Sequence, residues 1–170
     1  MAKKSSIRYS DGTVFLVPLE DGISAVGVVI RSSGRKGVVM GLFFRQEDLP
    51  VSELKKEKSI FTTLFGDSKL ASGSWPVIGQ IPEWSPDTWP VPWLPRIDPY
   101  ITKTAWRVKC GEDNASEFGD EERIRYDSPL VASGLMDGVA GPEYLEHVLK
   151  SIIIDKAVIV PPAEAGCWSD

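Results

Sequence analysis

The chain has 170 residues, 42% of them hydrophobic and 25% charged, with a formal net charge of −5 at pH 7. This length and balance fit one globular domain over residues 1–170 with its own core, its ends at 1–8 and 162–170 expected to be disordered. The acidic balance argues against a nucleic-acid face. No apolar run approaches a membrane span, and MAKKSSIRYS lacks the apolar stretch of a secretory signal, so a cytoplasmic location without membrane contact is expected.

The first half reads as strands. Residues 13–19 (TVFLVPL) are rich in β-branched and aromatic side chains, Glu20-Asp21-Gly22 is a turn, and 23–31 is a second β-rich run. A polar turn with Gly34 and Gly37 leads to a third run at 38–45. Three strands on short turns predict an antiparallel meander forming a small bent sheet or barrel. Pro18 predicts an edge position or a bulge, and Gly27 and Gly41 inside strands predict bends or close backbone approach. Residues 46–58 are polar, with a short helix expected after Pro50. A fourth strand is expected at 59–65, then a turn-rich loop at 66–74.

Residues 75–99 read WPVIGQIPEWSPDTWPVPWLPRIDP and hold four of the six tryptophans and seven of the thirteen prolines. Prolines at this density forbid a long helix or a central strand. Tryptophans bury too much apolar area to sit on a loose linker. The segment is therefore expected to be ordered and extended, and to wrap the core or show rings to a partner. Trp75, beside Val77 and Ile78, is the best core candidate. Exposed rings would act as interface anchors, and Glu83, Asp87 and Asp98 between them suit a basic protein surface.

Beyond it, 102–109 is a predicted strand and 111–122 a solvent-exposed acidic loop or short turn of helix. Gly141-Pro142 opens the one clear helix, near 142–153. Pro lies in its first turn, Glu143 at the positive dipole end, and an apolar stripe runs through Leu145, Val148, Leu149 and Ile152. Glu143–His147 and Glu146–Lys150 are expected i,i+4 pairs on the opposite face. Residues 157–160 are a predicted last strand. The fold class is thus mostly β (α+β), with an N-terminal meander, a Trp/Pro wrapping segment and one C-terminal amphipathic helix.

Catalytic signatures are missing. His147, the single histidine, falls on the polar face of the helix, and no serine or cysteine has a nucleophile setting such as G-x-S-x-G. There is no P-loop, no G-x-G-x-x-G after a strand and no H-E-x-x-H. Cys110 and Cys167 are too few for a disulfide framework or a zinc site. No metal or cofactor is expected, and the chain reads as a non-enzyme. A two-carboxylate hydrolase, which leaves no sequence signature, ranks last.

The opening G-T-V-F-L-V-P-L-E-D-G (Gly12 to Gly22) and G-V-V-I (Gly27 to Ile30), then S-W-P-V-I-G (Ser74 to Gly79) and W-P-V-P (Trp89 to Pro92), resemble the immunity protein 26 family of bacterial polymorphic-toxin systems. The resemblance runs from about Gly12 to Tyr126. Thr13 stands where an acidic residue is common in the family, and residues 110–140 have no counterpart in it. The resemblance implies a mostly β fold and an immunity protein that blocks a cognate toxin domain by stoichiometric binding, a basic nuclease being one candidate toxin. The expected contact residues are Glu83, Trp84, Asp87, Trp89, Asp98, Glu112, Asp113, Glu117 and Asp120. The alternative is a small β-barrel adaptor that binds a peptide or cellular protein through the aromatic surface.

Overall fold

A computed structural model describes residues 6–98, 104–112, 114–132, 135 and 137–156. The strands are β1 (Thr13–Pro18), β2 (Ser24–Ser32), β3 (Val38–Arg45), β4 (Phe61–Gly66), β5 (Val77–Gln80), β6 (Leu94–Asp98), β7 (Thr104–Cys110), β8 (Phe118–Ile124) and β9 (Val139–Ala140). The helices are α1 (Ser68–Ala71), α2 (Pro129–Ala132) and α3 (Pro142–Ile153). The first sheet has the order β5-β1-β2-β3-β4-β9, and the second has the order β6-β7-β8. Every pairing is antiparallel except β4 with β9.

The mostly β reading and the meander hold. The barrel option does not: the larger sheet stays open, because its two ends are β5 and β9, which do not pair with each other. Closure needs a ladder between the end strands, and these carry only four and two residues. Pro18 lies where β1 has lost its outer neighbour, since β5 is in register only with Thr13 to Phe15. Its missing N–H leaves no gap in that ladder.

Two expected loops contain regular structure. α1 lies within 66–74, and β8 occupies the second half of the acidic stretch. The strand predicted at 157–160 lies outside the described residues, as do 1–5 and 162–170 of the expected disordered ends; within 6–8, the Ile7 N–H donates to the Ala71 carbonyl at 2.8 Å.

The core forms around Phe15. Its ring stacks on Trp75 at 5.8 Å and 10°, and meets Phe43 edge-on at 6.1 Å and Phe65 at 5.9 Å. The ring lies across β2 at Gly27, where a Cβ would fall 2.2 Å from the Phe15 Cζ atom. Only a residue without a side chain leaves room there, which is why glycine interrupts an otherwise apolar strand.

Trp75 is fully buried, as expected, although Val77 and Ile78 beside it are not: they are 39% and 38% exposed on edge strand β5. The indole N–H of Trp75 donates to Glu146 Oε1 on α3 at 2.9 Å, and Lys69 Nζ on α1 meets Glu146 Oε2 at 2.7 Å. A buried indole N–H needs such an acceptor. α3 has the expected limits and buries Leu145, Leu149 and Ile152, with Val148 half-buried. Its charged residues reach across to other elements rather than along the helix: Glu143 to Lys69 at 3.4 Å, and Lys150 to Glu20 at 2.7 Å. His147 is exposed.

Gly27→Ala should destabilise the fold by about 1–3 kcal/mol through overpacking, and Trp75→Ala by about 3–5 kcal/mol. His147→Ala should stay within about 0.5 kcal/mol. Urea midpoints check all three, and an unchanged midpoint for Gly27→Ala would contradict the Phe15 seat.

Candidate partner-binding surface

The surface is organised by a residue the sequence does not single out. β2 is apolar from Ala25 to Ile30, and the next residue, Arg31, is 2% exposed. A buried guanidinium is costly unless its donors are satisfied. Arg31 Nη1 donates to the Ile30 carbonyl at 2.6 Å, Nη2 meets Glu112 Oε2 at 3.0 Å, and its Cζ lies 5.3 Å from the Trp84 ring centroid. Trp84, from the Trp/Pro segment, and Glu112, from the acidic stretch, are thereby brought to one point.

Asp11 completes this cluster. Its Oδ1 accepts from the Ser32 N–H at 2.9 Å and from the Ser32 hydroxyl at 3.2 Å. Burial pushes its carboxyl above the ordinary range, against the opposing pull of the Ser32 hydrogen bonds and the Arg31 charge. Gly12 beside it has φ +83°, and a Cβ there would fall 2.7 Å from Trp84 Cγ, so the turn before β1 is also the seat of the Trp84 ring. The Trp84 ring is half-buried, and its indole N–H is buried with no acceptor among the described residues.

The other expected contact residues scatter. Trp89 is 6% exposed and packs edge-on against Phe44 at 6.4 Å. The expectation that it offers a ring to a partner is therefore corrected: Trp89 completes the core. Glu83 and Asp87 are exposed and form no ion pair among the described residues. Asp98 is half-buried at the end of β6, opposite Thr104. Asp113 lies outside the described residues.

The acidic stretch is largely neutralised from within. Glu112 meets Arg31, and Glu117 meets Lys36 at 3.4 Å. Glu121 meets Arg96 at 2.6 Å, and Glu122 meets Arg107. Asp120 is the one described carboxylate of this stretch without a cation partner. Trp93, half-buried, carries the cations of Arg107 and Lys109, each 4.6 Å from its ring centroid.

Clefts also lie among the described residues. One, of about 300 Å³, is lined mainly by apolar groups of Phe61, Leu135, Val139 and Tyr144. Another is lined by Pro18, Leu19, Glu20, Glu146, His147 and Lys150, a set with no hydroxyl or thiol beside the histidine. Among the described residues no three His, Cys, Asp or Glu side chains are grouped to hold a metal, and no helix is long and apolar enough to cross a membrane.

The model of the immunity protein 26 family matches residues 10–106, more than half of the chain. The chain belongs to the immunity protein 26 family. No curated protein and no solved structure matches it. The motifs that carry the family likeness are structural: Gly12 seats Trp84, Gly27 seats Phe15, Trp75 is the core indole and Trp89 packs on Phe44. Arg31 and Trp84 fall inside the matched part, whereas Glu112 and all of β8 fall beyond it.

Arg31→Ala should cost about 2 kcal/mol or more, because it removes buried packing and strands the half-buried Asp11. Glu112→Gln should cost less than about 1 kcal/mol, since its carboxylate is exposed. Equal losses in thermal or urea unfolding would show that the pair itself, rather than the buried arginine, matters. Cys110, 2% exposed, has its thiol pushed up to about 12 by burial. It should resist iodoacetamide at pH 8 until denaturant is added, as peptide mapping would report.

Proposed function

We propose that this protein neutralises a cognate bacterial toxin by stoichiometric binding in the cytoplasm of the producing cell. The observation that carries the reading is the family match over residues 10–106. The net charge of −5 supports it, because an acidic inhibitor approaches a basic toxin domain faster than a neutral one. A nuclease is one such domain, since its active site is built to attract phosphates. The exposed carboxylates of Glu83 and Asp87, within three residues of Trp84 in the chain, are candidate contacts, with Asp120 on the second sheet. The protein acts in this reading as a binder without catalysis.

Co-expression with the toxin encoded beside this gene should restore growth, and the purified protein should bind that toxin's C-terminal domain in a one-to-one complex. Titration calorimetry that finds no binding at micromolar concentration, with both proteins folded, would overturn the proposal. Glu83→Lys with Asp87→Lys should slow association by about tenfold at low salt, with the effect fading as salt rises.

A further inference from the structure

β8 is the longest strand that buries none of its residues. Its residues from Phe118 to Arg123 are all exposed, and only Ile124 is half-buried. It is one of the two outer strands of its sheet, and among the described residues no strand pairs with its free edge. Such an edge is a row of backbone donors and acceptors open to another strand. Proteins commonly guard these edges with charge, and the central Asp120-Glu121-Glu122 invites that explanation.

The geometry of the guard is unusual, however. Glu121 and Glu122 reach inward across the sheet, to Arg96 on β6 and Arg107 on β7, rather than outward over the edge. Arg96 is also fixed by Asp137 at 2.6 Å and lies 4.6 Å from the centroid of the Phe118 ring, which is 46% exposed. The strand therefore shows a free backbone edge, one aromatic ring held in place, the Asp120 carboxylate and the Arg123 guanidinium, the last two exposed and without an ion pair among the described residues.

The same charges decide between occupants. A second copy paired antiparallel about Glu121 would set Glu121 against Glu121, and Asp120 against Glu122 on both sides. Like charges directly opposite are destabilising, so this in-register self-pairing is disfavoured. An extended segment with Lys or Arg facing Asp120, no cation facing Arg123 and an apolar side chain beside Phe118 meets no such conflict.

We propose that the toxin docks by strand addition: an extended segment of the toxin domain, with a basic side chain set against Asp120, pairs with the free edge of β8. This rests on the toxin-binding reading above and specifies its mode. It also places partner recognition on a strand beyond the family-matched residues 10–106.

Hydrogen exchange of the full chain, alone and with the purified toxin domain, tests it. In the complex, amides within 118–124 should exchange at least about tenfold more slowly. Asp120→Lys should reduce the association rate by about tenfold at low salt without shifting the melting temperature. A complex that forms with no added protection at 118–124 overturns strand addition and leaves the immunity reading standing. Failure to form any complex overturns both. Protection of these amides without toxin, together with a dimer in sedimentation, overturns it in favour of a second copy in a slipped register.

Discussion

The ring of Phe15 lying on the bare backbone of Gly27 is the constraint on which the remainder of the fold rests. That contact fixes the register of β1 against β2, and a slip of one residue would turn Phe15 out of the core. With Phe15 in place, Phe43 and Phe65 close on it from β3 and β4, and Trp75 stacks on its far side. Trp75 then brings its own requirement, an acceptor for a buried N–H, and Glu146 supplies it from 71 residues further along the chain. One aromatic seat thus reaches through the meander and the Trp/Pro segment to the C-terminal helix.

A second tie joins the two sheets' surroundings. Arg31 is the penultimate residue of β2 in the larger sheet, Glu112 follows β7 in the smaller one, and Trp84 lies against the guanidinium. The charge network of the smaller sheet continues the pattern, with Arg96 and Arg107 holding the carboxylates of β8. Such pairs contribute little to stability when exposed, and their larger effect is on geometry. They hold Glu121 and Glu122 across the sheet and leave Asp120 without a cation partner among the described residues.

Elements built from local pattern were legible in the sequence. The first three strands, and α3 with its stripe of Leu145, Val148, Leu149 and Ile152, follow from periodicity and turn chemistry. Interactions between distant residues were not. β8 (FGDEERI) has no alternation of apolar and polar residues, and it is a strand because β7 provides its ladder. Trp84 and Trp89 carry the same local signal of ring and proline, yet one is half-buried under an arginine and the other is packed in the core. An apolar run ending in arginine hinted that Arg31 would need an acid, but nothing local pointed to Glu112.

The contrast between the Phe15 seat and β8 has a consequence for how such a protein changes over generations. At Gly27 a single added methyl collides with a buried ring, so the sequence there is pinned by folding itself. Along the outer strand six consecutive residues are exposed, and replacements at exposed positions usually alter folding free energy by no more than about 0.5 kcal/mol. The fold therefore separates heritable risk from heritable novelty. Its interior resists drift, while one exposed strand can be rewritten residue by residue with the scaffold beneath it undisturbed.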